Sequence, residues 1–434
     1  MDSKSQLVPR HLLLPFVLVT TLFFAWGFAN DITNPMVKAF SKIFRMSVTD
    51  GAMVQLAFYG GYFAMAFPAA LFIRKYSYKA GILVGLALYA GGALLFIPAS
   101  MTGVYYPFLI AYFILTCGLS FLETSSNPYI LTMGDESTST RRLNLAQAFN
   151  PIGSLLGMFT AMIFIQERLN PLSTTERAML SPEEFAAVKH ADLQVLIAPY
   201  VAVGLVVMVL FLIIRFTKMP KNADQEHSLH LGHALKRIFS IPRYREGVIA
   251  QFFYVGVQIM CWTFIIQYGT RIFVNRDMDE QAAEVLSQRY NIVAMAIFCV
   301  SRFVCTFLLK YFSPGRLLTV LAIGGAVLTV GVIGFRDIGG LYCLVGVSGC
   351  MSLMFPTIYG IALQGLGEDA KFGAAGLIMA ILGGSVLPPM QAAIIDCGVL
   401  FGVPAVNVSF VLPLLCFLVI ICYGYRSYSG YGKK

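Results

Sequence analysis

The sequence predicts an all-α membrane protein, with twelve transmembrane helices in two pseudo-symmetric six-helix bundles. Hydrophobic residues make up 58% and charged residues 12% of its 434 residues, whereas soluble domains contain about 45–50% and about 25%. A helix needs about 20 apolar residues to cross the hydrocarbon core of a bilayer. Twelve stretches of this kind lie at 12–33, 51–73, 80–99, 105–131, 143–166, 193–216, 248–270, 290–310, 316–335, 341–365, 372–396 and 401–424.

The first stretch is expected to be a retained helix and not a signal peptide. It follows a short polar segment with Lys4 and Arg10, and no small-residue cleavage site followed by a soluble domain is recognisable. Lysine and arginine are about twice as frequent in the even-numbered loops and the two tails as in the other loops. Because basic residues mark cytoplasmic loops, both termini are expected in the cytoplasm. The net charge of +9 then needs no nucleic-acid partner.

The chain is predicted to divide into two bundles, 1–217 and 248–434, joined by a cytoplasmic linker at 218–247. This linker is the longest non-apolar cytoplasmic stretch. The halves share a weak repeat, because short basic turns follow the second and eighth spans and the only tryptophans, Trp26 and Trp262, fall in the first and seventh. Duplicated six-helix units that hold a substrate between them near the midplane are a transporter architecture.

Two acidic side chains, Asp31 and Glu123, and the basic side chain of Arg302 lie inside predicted spans. Of the 22 acidic residues, only Asp31, Glu123 and Asp396 fall within spans, and Asp396 is at an outer end. A carboxylate costs several kcal/mol in hydrocarbon, so Glu123 is expected to face a protein interior or a water-filled cavity. Two structural alternatives stay open: Asp31 as a helix-end residue at the outer interface, and Glu123 as a hydrogen-bonding group between helices. Arg302 is expected either to form an ion pair inside a bundle or to snorkel toward the cytoplasmic end.

Amide and aromatic side chains recur at helical spacing around these charges. Asn127 lies four residues after Glu123 and therefore on the same face of the helix. The other members of the pattern are Gln147 and Asn150 in the fifth span and Gln251, Tyr254, Gln258 and Trp262 in the seventh. Amides and carboxylates bind sugar hydroxyls, and aromatic rings stack on the C–H face of a pyranose, so the pattern predicts a sugar site. Interhelical hydrogen bonding, which we favour for Asn144, and simple packing are the alternatives.

Glu123, assisted by Asp31, is predicted to carry a coupled proton. Removal from water favours the neutral form of a carboxylic acid, so such a group can hold a proton near neutral pH and release it when its surroundings change. Coupling follows if protonation and sugar binding favour the same conformation. No cofactor or metal is expected, because the nine cysteines fall in or at the ends of spans without paired loop spacings.

Three motifs resemble the bacterial L-fucose:proton symporter group of the major facilitator superfamily. They are residues 122–128 (LETSSNP), 142–150 (RLNLAQAFN) and 250–258 (AQFFYVGVQ), and the similarity runs over nearly the whole chain. The resemblance implies the major facilitator fold in a bacterial inner membrane, with alternating access through rocking of two six-helix bundles. It also implies that a first-helix acid and Glu123 serve sugar binding and proton coupling. By the same motifs, functional positions of that group correspond to Gln147 and Asn150 here.

The first span departs from the pattern of that group. In that group the first-helix acid usually stands at the position of Asn34 here, and asparagine usually stands at the position of Asp31. The acid and the amide are thus exchanged within one helical turn, and Asp31 would face the cavity from about 60° around the helix. Asp31 is therefore included in the predicted proton site, and Trp26 and Asn34 are included in the predicted sugar site.

The predicted function is proton-coupled uptake of a hexose, with L-fucose as the first candidate. The alternative within transport is a symporter for glucose, galactose or N-acetylglucosamine, driven by protons or by sodium. A membrane-embedded enzyme or sensor is a remote alternative, because such proteins carry a large catalytic loop, a metal motif or a signalling domain, whereas the loops here are short. The sequence therefore predicts a transporter and not an enzyme.

Overall fold

A computed structural model of the chain describes residues 7–33, 36–46, 53–166, 168–172, 174–220, 231–400 and 402–430. Contacts divide the chain into two compact units. The amino-terminal unit comprises Arg10–Tyr129 and Ile152–Glu226, and the carboxy-terminal unit comprises Met1–Pro9, Ile130–Pro151 and His227–Lys434. The predicted division at 218–247 stays a prediction.

The described residues are mainly helical. The first ten helices are α1 Leu13–Thr33, α2 Met36–Phe44, α3 Met53–Lys75, α4 Tyr78–Leu94, α5 Phe96–Thr102, α6 Tyr106–Thr132, α7 Ser139–Gln147, α8 Asn150–Thr160, α9 Thr174–Ala178 and α10 Pro182–Phe216. The next ten are α11 Leu231–Ser240, α12 Pro242–Val274, α13 Glu280–Leu308, α14 Pro314–Gly334, α15 Ile338–Met351, α16 Met354–Leu363, α17 Ala370–Met379, α18 Gly383–Ile395, α19 Ala405–Ser409 and α20 Val411–Ser429.

Shorter elements complete the fold. Strands β1 Val399–Leu400 and β2 Val403–Pro404 pair antiparallel and are the only strands among the described residues. Single 3₁₀ turns lie at Arg10–Leu12, Glu136–Thr138, Gly367–Asp369 and Ala380–Leu382, and a π-helical turn follows α8 at Ala161–Gln166.

Each of the twelve predicted spans coincides with helix. Within the described ranges, eleven helical segments are long and apolar enough to cross a membrane. The 23-residue helix α3 occupies the place of the remaining predicted span, 51–73. The last span begins later than expected, because the β1–β2 hairpin takes up the residues before Ala405.

Five spans predicted as continuous helices are interrupted. Leu95 separates α4 from α5, and Phe410 separates α19 from α20. Helices α7 and α8 are separated at residues 148–149, α15 and α16 at 352–353, and α17 and α18 by a 3₁₀ turn. At the break between α15 and α16 the Ser352 hydroxyl donates to the Gly349 carbonyl at 2.8 Å, which competes with the backbone pattern of the helix. Proline lacks an N–H group, so Pro151 and Pro356 cannot donate to the carbonyls four residues earlier, those of Gln147 and Ser352. These two carbonyls are therefore available to side chains.

Helix α10 shows how a long span is fixed at its amino-terminal end. Ser181 and Glu184 form a capping box, and Pro182 takes the first helical position, where its missing N–H costs nothing. Ten residues after Pro182, Asp192 forms a buried ion pair with Arg177 at 2.6 Å. The ion pair anchors the segment before α10 to this helix and is a structural use of charge.

Candidate functional site

Glu123 lies in α6 of the amino-terminal unit and is only 7% exposed. Its Oε1 accepts a hydrogen bond from the Tyr62 hydroxyl of α3 at 3.0 Å. Asn127 is fully buried, and its Nδ2 donates to the Glu123 backbone carbonyl at 3.0 Å. The predicted interior position of Glu123 is confirmed. The bond from Tyr62 also joins α3 to α6, so Glu123 contributes to the contact between these helices, as the structural alternative expects. This contribution does not exclude a proton-carrying role.

The close approach of α3 and α6 positions this pair. A Cβ atom added at Gly61 would lie 2.1 Å from Thr116 Oγ1 and 2.9 Å from the Phe113 carbonyl, so only glycine fits at that contact. Ser120 Oγ donates to the Tyr62 carbonyl at 3.0 Å. These contacts fix the backbone of Tyr62 against α6 one turn from Glu123.

Asp31 lies near the end of α1 and is 5% exposed, so protein surrounds its carboxylate. It lies within electrostatic range of Tyr59 of α3, three residues from Tyr62. Trp26 is buried, and its ring packs against Phe23 with centroids 4.2 Å apart. Asn34 lies outside the described residues, so the exchange of acid and amide in this helix stays a prediction.

Arg302 is a buried charged side chain of the carboxy-terminal unit. It is 3% exposed, its Nε donates to the Ser352 carbonyl at 2.5 Å, and its Nη1 donates to the Gln147 carbonyl at 3.0 Å. The guanidinium also lies 4.6 Å from the centre of the Phe298 ring. Among the described residues of this unit, no carboxylate pairs with it. Neither expected arrangement, an ion pair or snorkelling, describes Arg302, because it satisfies the two carbonyls that the prolines leave without a helical donor.

Predicted sugar-site residues surround this arginine. The Tyr254 hydroxyl donates to the Met351 carbonyl at 3.2 Å and interacts electrostatically with Arg302. Trp262 Nε1 donates to Ser348 Oγ at 3.2 Å, and its ring meets Phe298 edge to face with centroids 5.0 Å apart. The α12 residues Tyr254 and Trp262 therefore lie close to the interruption between α15 and α16.

The amides of the pattern differ in their environments. Gln251 is fully buried, and among the described residues neither of its amide atoms has a hydrogen-bond partner. Gln258 and Asn150 are half-buried, and Gln147 is buried. Asn144 donates to the Thr357 hydroxyl of α16 at 3.2 Å, which confirms its interpretation as an interhelical hydrogen-bonding residue.

The structure thus assembles two clusters, each within one unit. Glu123 and Asn127 lie with Tyr62 in the amino-terminal unit, and Gln147, Tyr254 and Trp262 lie around Arg302 in the carboxy-terminal unit. Sequence reasoning missed Tyr62, since a tyrosine in an apolar span is indistinguishable from a packing residue. The roles predicted for the site residues, in sugar binding and proton coupling, stay predictions.

Comparisons with known proteins identify the family. The Major Facilitator Superfamily model matches residues 18–388. The chain is 51% identical over 435 residues to the L-fucose-proton symporter of Haemophilus influenzae, covering 98% of this chain and 99% of that one. It is 33% identical to the L-fucose-proton symporter of Escherichia coli, over 97% of this chain and 95% of the relative. A crystal structure of a variant of the E. coli fucose:proton symporter aligns with a TM-score of 0.86 at 32% identity, over 97% of this chain and 100% of that one.

These matches confirm the predicted fold class, all-α with twelve spans, and the predicted resemblance. They also decide between the function classes, since the curated relatives are transporters and not enzymes or sensors. The chain belongs to the major facilitator superfamily of membrane transporters.

Proposed function

We propose that this protein is a secondary active transporter that couples the inward movement of protons to the uptake of L-fucose by alternating access. The observation that carries the proposal is the buried Glu123 carboxylate in the middle of a span, in a chain 51% identical to an L-fucose-proton symporter over nearly its full length. Both substrates, sugar and proton, follow from that combination.

Glu123 is the proposed proton carrier, with Asp31 assisting. Burial of a carboxyl group costs much more free energy in its ionised form than in its protonated form. The Tyr62 hydroxyl offsets part of that cost for the ionised form. A carboxylate with one hydroxyl donor can therefore exist in both protonation states, which a carrier of protons requires.

The proposed sugar-binding residues are the Glu123 carboxylate and the predicted amides and aromatic side chains. Glu123, Asn127, Trp26 and Asn34 contribute from the first 129 residues, and Gln147, Asn150, Gln251, Tyr254, Gln258 and Trp262 contribute from the rest. Gln251 supports the proposal most specifically, because it is a fully buried amide with no hydrogen-bond partner among the described residues. Such an amide is costly unless another group satisfies it. Sugar hydroxyls are both donors and acceptors and match an amide.

The proposed location is a bacterial inner membrane, with both termini in the cytoplasm. The distribution of lysine and arginine between alternate loops supports that orientation. Accessibility of single cysteines introduced into a cysteine-free protein, at positions 4 and 430, to a membrane-impermeant reagent would test it. Labelling in intact cells at either position contradicts the orientation.

Uptake of labelled L-fucose into proteoliposomes, with and without an inward proton gradient, tests the function. We expect the gradient to drive accumulation in sodium-free buffer. Glu123→Gln and Asp31→Asn are expected to abolish or reduce gradient-driven accumulation, whereas the exposed acid Asp396 serves as the matched control through Asp396→Asn. Accumulation that needs sodium, or that ignores the proton gradient, contradicts proton coupling.

Counterflow with a panel of sugars tests the substrate. We expect external L-fucose to exchange with preloaded L-fucose faster than D-glucose, D-galactose or N-acetylglucosamine exchanges. Faster exchange of one of those three would assign the protein to the alternative hexose class. Absence of exchange with every sugar would contradict hexose transport itself.

A further inference from the structure

Tyr62 is the one side chain that donates to the Glu123 carboxylate within the described amino-terminal unit. The hydroxyl lies 3.0 Å from Oε1, and Tyr62 and Glu123 are 4% and 7% exposed. No lysine or arginine of the described part of that unit pairs with either side chain. The ionised form of Glu123 therefore depends on a neutral donor and not on a counter-charge.

The position of this hydroxyl is set by the backbone. Ser120 Oγ binds the Tyr62 carbonyl at 3.0 Å, and the contact at Gly61 leaves no room for a Cβ atom. The Phe58 ring packs beside the Tyr62 ring with centroids 5.7 Å apart. The Tyr62 backbone is therefore fixed against α6 and its ring packs against Phe58, which limits the positions that its hydroxyl can take.

Other titratable groups face this pair at longer range. Tyr89 of α4 donates to the Ala25 carbonyl of α1 at 3.1 Å and interacts electrostatically with Tyr62. Tyr59 interacts with Tyr62 and with Asp31. Tyr62 is thus the direct partner of Glu123, Tyr59 of α3 and Tyr89 of α4 interact with Tyr62, and Asp31 of α1 interacts with Tyr59. Only Asp31 among them is a carboxylic acid.

We propose that Tyr62 is a positioning residue that sets the proton affinity of Glu123 and so the pH range over which the transporter couples. The inference rests on the proposed function for its link to transport. A hydroxyl that donates to a carboxylate stabilises the ionised form, so Tyr62 promotes release of the proton. Without it, Glu123 retains its proton to higher pH.

Infrared titration of the purified protein without sugar tests this directly. The C=O stretch of protonated Glu123 is identified by its absence in Glu123→Gln and followed with pH. In Tyr62→Phe the midpoint is expected to rise by about one pH unit, a tenfold change in proton affinity. Tyr89→Phe is the matched control, because it removes a buried hydroxyl that binds a carbonyl and not a carboxylate, and its midpoint should stay at the wild-type value.

A milder variant keeps the test decisive if Tyr62→Phe does not fold. Ser120→Ala removes one anchor of Tyr62 and is expected to shift the midpoint in the same direction by a smaller amount. An unchanged midpoint in Tyr62→Phe, or in Ser120→Ala where only that variant folds, overturns the proposal. A shift in Tyr89→Phe as large as that in Tyr62→Phe also overturns it.

Equilibrium binding of labelled L-fucose as a function of pH connects the inference to transport. If protonated Glu123 is the form that binds sugar, Tyr62→Phe should extend binding to higher pH by the same interval. Wild-type protein that binds no L-fucose at any pH contradicts the proposed function, and the infrared titration then still decides the role of Tyr62. Sugar binding whose pH profile is identical in both proteins contradicts the role of Tyr62.

Discussion

Glu123 and Arg302 are both buried charged side chains within spans, and the two units accommodate them differently. Glu123 accepts one hydrogen bond from a tyrosine hydroxyl, whereas Arg302 donates to two backbone carbonyls and lies over an aromatic ring. A carboxylic acid can lose its charge by binding a proton, and a guanidinium cannot. The Tyr62 hydroxyl can remain beside Glu123 in either protonation state of the carboxyl group. Arg302 instead binds backbone carbonyls, which do not titrate. The difference supports the proposal that proton binding belongs to the amino-terminal unit, whereas Arg302 is a fixed charge of the carboxy-terminal unit.

The Arg177–Asp192 pair gives the reference for both. Its two buried side chains neutralise each other at 2.6 Å, which is how a structural charge is normally held. Neither Glu123 nor Arg302 has such a counter-ion among the described residues of its unit. For Glu123 the proposed proton-carrying role explains the missing counter-ion, and for Arg302 two backbone carbonyls take the place of a counter-ion.

The largest effect is expected when the reference pair is broken. Asp192→Asn leaves the Arg177 guanidinium buried without its counter-ion, and we expect a loss of about 3–5 kcal/mol of stability, measured as unfolding in detergent. The proton-to-sugar ratio of the folded protein should remain that of the wild type. A normal stability would show that the pair is not the structural reference, and an altered ratio would show that it is not confined to structure.

Removal of Arg302 is expected to have the next largest effect. Arg302→Gln withdraws a charged donor from the Gln147 and Ser352 carbonyls, which we expect to cost about 3 kcal/mol in unfolding measurements. Arg316→Gln removes an exposed arginine of the same unit and should change stability by less than about 0.5 kcal/mol. Adding Pro356→Ala to Arg302→Gln supplies an N–H for the Ser352 carbonyl and should recover part of the loss. Equal stability of Arg302→Gln and Arg316→Gln contradicts the fixed-charge interpretation.

A smaller effect is expected from separating α3 and α6. Gly61→Ala introduces a Cβ atom 2.1 Å from Thr116 Oγ1, and such overpacking costs about 1–3 kcal/mol. By displacing Tyr62 it should also raise the pH midpoint of the Glu123 infrared band. Gly60→Ala is the matched control, because a Cβ atom there meets nothing within 4 Å. Identical behaviour of the two alanine variants would contradict the close approach.

The smallest effect is expected at Trp262. Trp262→Phe keeps an aromatic ring but loses the bond to Ser348 Oγ at 3.2 Å, at a cost of about 1 kcal/mol. If the ring stacks on the sugar, the half-saturation concentration for L-fucose should also rise, while the pH midpoint of Glu123 stays constant. A shift of that midpoint would show that Trp262 also affects proton binding at Glu123, and it would contradict the assignment of proton binding to the amino-terminal unit alone.

Sequence reasoning located most of the architecture and part of the site. Long apolar runs mark the spans without ambiguity, and a lone acid in such a run had to be buried. The interruption at 352–353 carries no glycine and depends on a serine hydroxyl that competes with the backbone. Hydropathy does not register such a competition, so the predicted span was continuous.

The backbone partners of Arg302 could not be predicted for a different reason. An ion-pair prediction considers acidic side chains only, whereas Arg302 binds backbone carbonyls, which every residue possesses. A signal was nevertheless present, because Pro151 and Pro356 each lie four residues after a carbonyl that Arg302 binds. Tyr62 offered only its position beside Gly60 and Gly61, which marks a close helix contact but not a hydrogen bond to Glu123.

The most direct test of the proton-carrying role of Glu123 is the pH change outside lightly buffered vesicles when L-fucose is added. Wild-type protein and Asp396→Asn are expected to alkalinise the medium as sugar and protons enter together. Glu123→Gln is expected to exchange L-fucose across the membrane without alkalinisation. Full alkalinisation by Glu123→Gln would contradict the assignment of the coupled proton to this residue.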